Sequence, residues 1–356
     1  MDSQKWMACA ILSLVIIGCF GNALSFLLFS RPHMRCSSVN VLLCALSFID
    51  FSLLLLSIPT FVIPSLDLWS SQQSAMTFLA YVLKLVYPVN LTMQTCSIYT
   101  MVMITFERWT AVCRPLQVRV WCTPKKSRIA VLCIFIFAVL YNFARHTPDG
   151  ALYEKWLRDP TNYRGYYVGY YTVLYVLTHF LIPFTIMAVL NGSVISTMWQ
   201  GRRMRQMLTR QQQREQSTTV MLLIVTIVFA VCNTLPFLLN VVESVFPDLF
   251  VDPTTMHIAY TLNDLSNLLV VLNSATTFFV YFTFSEKYRQ TLIFIIKNGC
   301  CASVSDYNNY TAMSRTASMR VNSGTGDSQR AGSKLSTSRR STEASLPTKA
   351  KRSVFL

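Results

Sequence analysis

The 356-residue chain is 53% hydrophobic and only 13% charged, with a mean hydropathy of +0.41. That composition excludes an ordinary soluble domain of this length and points to helices that sit in lipid. The net charge of +15 is a poor footprint for nucleic-acid binding, because the basic residues are scattered between apolar stretches.

A helix needs about 20 mostly apolar residues to cross a bilayer. Seven stretches qualify: 6–29, 38–65, 76–110, 128–145, 167–198, 218–242 and 256–284. Several are longer than required, which predicts tilt or projection beyond the bilayer. They share no internal repeat of the kind that marks many transporters. With the N-terminus outside, 25 of the 31 basic residues fall on the cytoplasmic side, including Arg31, Arg35, Arg108 and the run from Lys287 onward. Basic short loops stay cytoplasmic, so the expected fold is an all-α bundle of seven transmembrane helices in the plasma membrane, with a cytoplasmic C-terminus.

The first span opens at "MDSQKWMACAILS", one basic residue ahead of an apolar run too long for a signal-peptide core. Residues 1–5 are then a short outside tail and 6–298 the bundle with its appended helix. The second span carries Asn40, Leu43, Leu46, Ser47 and Asp50 at helical spacing. An ionisable group in lipid is a functional hypothesis by default. Asp50 reads either as a protonated, hydrogen-bonded acid or as a site for a monovalent cation such as sodium, with Asn22, Ser97, Asn273 and Ser274 as further oxygen donors. Span three closes on Glu107-Arg108-Trp109 followed by "AVCRPL". These charges either anchor a helix end at the headgroups or form a switch. Pro183 and Pro236 interrupt spans five and six, and a mid-helix proline removes a backbone hydrogen bond. Span seven runs into "SEKYRQTLIFIIKN", an amphipathic helix from Ser285. Beyond it, 299–356 is rich in Ser, Thr, Arg and Lys and is expected to be disordered. The four histidines are far apart, and no metal spacing, nucleophile elbow or phosphate loop occurs, so no enzyme is expected.

Gly21-Asn22, the Asn40-to-Asp50 series, Glu107-Arg108-Trp109, Pro183, Pro236 and Tyr281, in that order, resemble the rhodopsin-like G-protein-coupled receptors over residues 10 to 298. "VLYNFAR", "IPFTIMAVLN", the Cys-Asn before Pro236 and "LNSATTFFVYFTFSEKYR" are most similar to invertebrate FMRFamide-type neuropeptide receptors. The chain departs from the family pattern in several places. Trp109 stands for tyrosine, Phe278 for the proline before Tyr281, and Thr234 lies near the place of a tryptophan. Leu83 stands for the span-three cysteine, and residues 146–167 contain no partner cysteine. Gln216 replaces the acid that often locks span six.

The resemblance implies an activation switch of Glu107, Arg108, Trp109, Pro236 and Tyr281, in which span six swings outward and Arg108 meets a heterotrimeric G protein. Glu107 would hold Arg108 at rest. It implies a ligand site in the outer half of the bundle. There Tyr87, Asn90 and Gln94 of span three face Tyr175 and His179 of span five, Asn240 and Glu243 of span six, and Asp264 and Asn267 of span seven. Asn90 and Gln94 lie about five and four turns from Arg108, on the same face. This polar, net-acidic mouth suits a basic, aromatic peptide ending in Arg-Phe-amide. His179 also reads as a satisfied buried side chain. Cys300 and Cys301 resemble palmitoylation sites, and the basic Ser/Thr tail suits receptor kinases and arrestin. A receptor for a small or chemosensory cue, a non-signalling decoy and a transporter are the competing readings. A transporter would need a polar path through the whole bilayer.

Overall fold

The computed structural model describes residues 2–66, 71–145, 173–204, 210–246, 249, 252 and 254–298. Every regular element among them is helical. The order is α1 (Asp2–Phe29), α2 (Ser38–Ser57), a π-helical turn (Ile58–Val62), α3 (Ile63–Ser65), α4 (Gln72–Tyr81), a second π turn (Val82–Val86) and α5 (Tyr87–Cys113). It continues with α6 (Pro115–Trp121), α7 (Pro124–Arg145), a third π turn (Val176–Leu181), α8 (Ile182–Met204), α9 (Arg210–Val245), α10 (Met256–Phe284) and α11 (Glu286–Asn298).

Six stretches are long and apolar enough to cross a membrane: Lys5–Phe29, Ser38–Ser65, Gln72–Cys113, Val176–Gln200, Thr218–Glu243 and Met256–Phe284. The remaining expected segment, 128–145, lies within the 22-residue helix α7. The helix of the first span already begins at Asp2 and so takes in residues expected to precede it. Residues 167–172 of span five, residues 146–166, Cys300, Cys301 and the segment 299–356 lie outside the described residues, as do the side chains of Glu215 and Gln216.

Each π turn has a local cause. A proline cannot donate to the carbonyl four residues back, and its ring crowds that carbonyl. The residues four before Pro64, Pro88 and Pro183 are Thr60, Lys84 and His179, and each lies inside one of the three π turns. Widening the turn by one residue relieves the clash. Pro236 behaves differently, since α9 runs through it as one 36-residue α-helix.

The packing is centred on α5, which contacts α2, α7, α8 and α9, while α1 lies against α2 and α10. Small residues set the α1–α10 spacing. A Cβ on Gly18 would come within 2.9 Å of Ala275 Cβ, and one on Gly21 within 2.6 Å of Phe278 Cγ. The largest apolar cluster, including Phe29, Leu46, Met101, Ile104, Phe229 and Tyr281, joins α1, α2, α5, α9 and α10 at their Arg108 end.

The helix α11 closes this end. Arg289 donates to the carbonyls of Phe282 (3.0 Å) and Thr283, capping the end of α10 with positive charge. The Tyr288 hydroxyl lies 2.9 Å from that of Ser25, and burial pushes the phenol up to about 12. In the turn between α1 and α2, Asn40 Nδ2 donates to Met34 O at 2.9 Å. Burial, with help from the charges of Lys287 and Arg31, lowers His33 to about 4, so that it is neutral where the turn meets α11.

The α1–α10 approach gives the first prediction. Gly18→Val forces Ala275, whose Cα would lie 3.0 Å from the new Cβ, away from α1. Overpacking of this kind costs about 1–3 kcal/mol. The thermal midpoint of the purified protein should fall, and an unchanged midpoint would mean that the helices separate freely there.

Candidate functional site

Three polar layers lie along the axis of the bundle. The middle one is built on Asp50, which is 1% exposed. A carboxyl group this deep must be satisfied by protein groups, because lipid offers none. Ser97 of α5 and Ser274 of α10 donate to Asp50 Oδ1 at 3.5 and 3.2 Å, and Thr277 of α10 donates to Oδ2 at 3.3 Å. Asn22 Nδ2 donates to Ser274 O at 2.8 Å and to Gly18 O at 2.9 Å, which ties α1 to the same point. The oxygen Asn22 Oδ1 is buried without a hydrogen bond.

Asp50, Ser97 and Ser274 thus come together as the spacing predicts. Asn273 does not join them by its side chain; its backbone carbonyl accepts from Thr277 at 3.2 Å. Thr277, three residues beyond Ser274 on the same face, adds a further hydroxyl to the group. The hydroxyls, the carboxylate and the orphaned Asn22 oxygen form an oxygen-only donor set, which suits a hard cation such as sodium.

The second layer is the end of α5. Glu107 is buried, and its Oε1 accepts from the Ser127 hydroxyl of α7 at 2.8 Å. The Ser127 bridge was not legible in the sequence motif, which pairs Glu107 with its neighbour Arg108. Arg108 is half-buried and borders a narrow crevice between α5, α8 and α9, together with Asn191, Thr219 and Leu222. Trp109 turns to the other side, where its ring lies 5.9 Å from that of Phe106; Phe106 in turn stacks on Trp121 of α6 at 6.3 Å. Tyr281 is fully buried, with its ring edge-on to Phe29 at 5.4 Å.

The third layer lies toward the opposite end and joins α5, α7 and the π turn before α8. His179 is 6% exposed. Its Nε2 lies 2.8 Å from Thr95 Oγ1, and its Nδ1 lies 2.9 Å from Thr178 Oγ1. Asn142 Nδ2 donates to Thr95 Oγ1 at 3.0 Å, and Tyr99 donates to Thr178 O at 3.0 Å. Tyr175 stacks on the imidazole at 4.7 Å. The buried reading of His179 therefore describes its geometry, with Tyr175 as its lid. Thr95 and Asn142 were missed in the sequence, where each passes as a small polar residue in an apolar helix. Among the other expected mouth residues, Asn90 is buried. Tyr87, Gln94, Asn240, Asp264 and Asn267 are half-buried, and Glu243 is exposed.

A bundle of apolar helices around a central buried acid, with a Glu-Arg pair at one end and a polar layer toward the other, defines a seven-helix membrane receptor. Residues 21–281 match the family described as "7 transmembrane receptor (rhodopsin family)", and the chain belongs to that family. The family is one of receptors and not of enzymes. The chain is 71% identical over 354 residues to "FMRFamide peptide receptor frpr-18" of Caenorhabditis elegans, a match that covers 97% of this chain and 82% of that one. It is 30% identical to "FMRFamide receptor" of Drosophila melanogaster, covering 82% of this chain and 54% of the relative. It is also 23% identical to "Galanin receptor 2a" of Danio rerio over 81% of this chain.

The bridge to α7 yields a prediction. Ser127→Ala leaves a buried carboxyl oxygen without its hydroxyl partner, a loss of about 1–3 kcal/mol. The thermal midpoint should drop, and Ser127→Thr, which keeps the hydroxyl, should restore it. Equal midpoints for all three proteins would dismiss the bridge as an anchor of α7.

Proposed function

We propose that this chain is the plasma-membrane receptor of a FMRFamide-type neuropeptide and activates a heterotrimeric G protein. The observation that carries the proposal is the 71% identity, along 97% of the chain, to a relative described as a FMRFamide peptide receptor. The N-terminus is outside and the C-terminus cytoplasmic, in keeping with the basic loops. The peptide enters beside Tyr87, Asn90 and Gln94, with Asn240, Glu243, Asp264 and Asn267 on the facing helices. Carboxylates attract its guanidinium. His179 and Tyr175 act from beneath, by fixing α8 against α5.

Arg108 is the coupling residue. It borders a crevice whose opposite wall includes Thr219 and Leu222 of α9, so outward movement of α9 widens the space around its guanidinium. Asp50, Ser97, Ser274 and Thr277 would hold a sodium ion in the resting state, with Asn273 next to Ser274 in the same helix. When bound, the ion supplies a positive charge that draws the helix faces together. Cys300 and Cys301 carry palmitate, and receptor kinases and arrestin act on the tail.

Two experiments test this reading. A library of amidated Arg-Phe peptides is screened on cells expressing the chain, with G-protein activation as readout. At least one peptide should act at low concentration, and Arg108→Ala should abolish the response while surface expression persists. Silence across the library with the receptor at the surface would point to a non-peptide cue or a decoy. In membranes, sodium should weaken agonist binding to the wild type severalfold and leave Asp50→Asn unaffected. A sodium effect that survives Asp50→Asn would place the ion elsewhere.

A further inference from the structure

A groove of about 440 Å³ opens between α2, α5 and α7, and none of the residues assigned above to peptide or G protein lines it. Its size falls in the range of about 300–1,000 Å³ usual for ligand pockets. Its walls are apolar. Phe48, Leu132 and Phe135 form the lips and are 51%, 57% and 45% exposed, on the side that faces lipid. Ala45 and Cys96 lie deeper, and Phe26 of α1 closes one edge with its ring 5.8 Å from that of Phe48.

The Arg108 end of the groove is charged. Arg35, just before α2, and Arg128, in the second turn of α7, both line it and are both exposed. Among the described residues neither guanidinium takes a hydrogen bond or an ion pair within the protein, and the groove has no acidic lining residue. Two uncompensated cations on separate helices therefore flank one end of an apolar trough that opens sideways into the bilayer.

We propose that this groove binds one anionic phospholipid, with an acyl chain lying between Phe48 and Phe135 and the phosphate between Arg35 and Arg128. The chemistry selects this occupant. An acyl chain matches the apolar walls, and two guanidinium groups at headgroup level select for negative charge. In the orientation proposed above, the charged end lies in the cytoplasmic leaflet, where anionic lipids concentrate. Because α5 forms one wall of the groove and also carries Glu107 and Arg108, a bound lipid fills space directly behind the switch helix.

The test uses the full-length chain in phosphatidylcholine nanodiscs doped with phosphatidylserine that carries a photoreactive acyl chain. Crosslinks are mapped by peptide mass spectrometry. They should concentrate on residues 41–49 and 128–135. Arg35→Gln with Arg128→Gln should reduce labelling by the anionic probe about tenfold, at roughly a few-fold per arginine, and leave labelling by a photoreactive phosphatidylcholine unchanged. Ala45→Phe, which fills the trough, should reduce the anionic labelling with both arginines intact. Thermal midpoints of the variants confirm folding. Labelling spread evenly over the lipid-facing helices, equal labelling by the two lipids, or insensitivity to the double arginine variant would each overturn the proposal.

Discussion

The buried carboxyl group of Asp50 is the constraint around which the bundle is arranged. Lipid cannot solvate it, so protein groups must converge on it, and they come from α5 and α10 through three hydroxyls. Asn22 extends the convergence to α1 by gripping the carbonyl of Ser274. One acid thus fixes the rotation of four helices about their axes, because a turned helix would withdraw its donor. Gly18 and Gly21 are the steric counterpart, since only a hydrogen in place of a side chain lets α1 come close enough for Asn22 to reach α10. Hydrogen bonds of this directional kind do in lipid what burial of apolar surface does in water, where helices are driven together without help from polar groups.

The His179 layer repeats the device toward the opposite end with different partners. Thr95, Asn142 and Thr178 place α5, α7 and the π turn before α8 in a single network. The π turn is part of the arrangement. His179 lies four residues before Pro183, so the same proline that widens the turn also determines where the imidazole sits. A lone histidine facing lipid would be costly, and this one has a hydroxyl on each ring nitrogen.

Much of this architecture was legible in the chain itself. The spacing of apolar stretches located the spans, and the amphipathic run after Ser285 located α11. Asp50 was legible because an ionisable group inside a span stands out, and Ser97 and Ser274 followed as oxygen donors that the other spans could bring to it. Thr277 was overlooked among the several hydroxyls of its span, although its three-residue offset from Ser274 put it on the right face. Ser127 and Asn142 were beyond reach for another reason. Each meets a partner on a different helix, 20 and 47 residues away, and periodicity within one helix says nothing about which faces of two helices meet. The prolines mark where a helix is perturbed, but the outcome depends on the neighbours: three produce π turns, while α9 absorbs Pro236 without one.

That difference bears on which helix can move. Rings stack where α9 meets the π turn and α8, Phe180 on Phe237 at 3.7 Å and Phe184 near Phe229 at 5.7 Å, and α9 adds Met221, Leu222 and Val225 to the apolar cluster. Thr226, Asn233 and Thr234 turn their polar atoms back on carbonyls of their own helix. By contrast α1, α2, α5, α7 and α10 are joined to one another by hydrogen bonds with definite geometry. A ring stack keeps most of its contact when one face slides along the other, whereas a hydrogen bond weakens steeply once its angle closes. The hydrogen bonds that hold Asp50 come from α5 and α10, so displacing α9 leaves them in place. The angular constraints around Asp50 thus hold α1, α2, α5 and α10 as a frame, while the helix bearing Pro236, which faces Arg108, meets the fifth span through stacked rings that tolerate sliding.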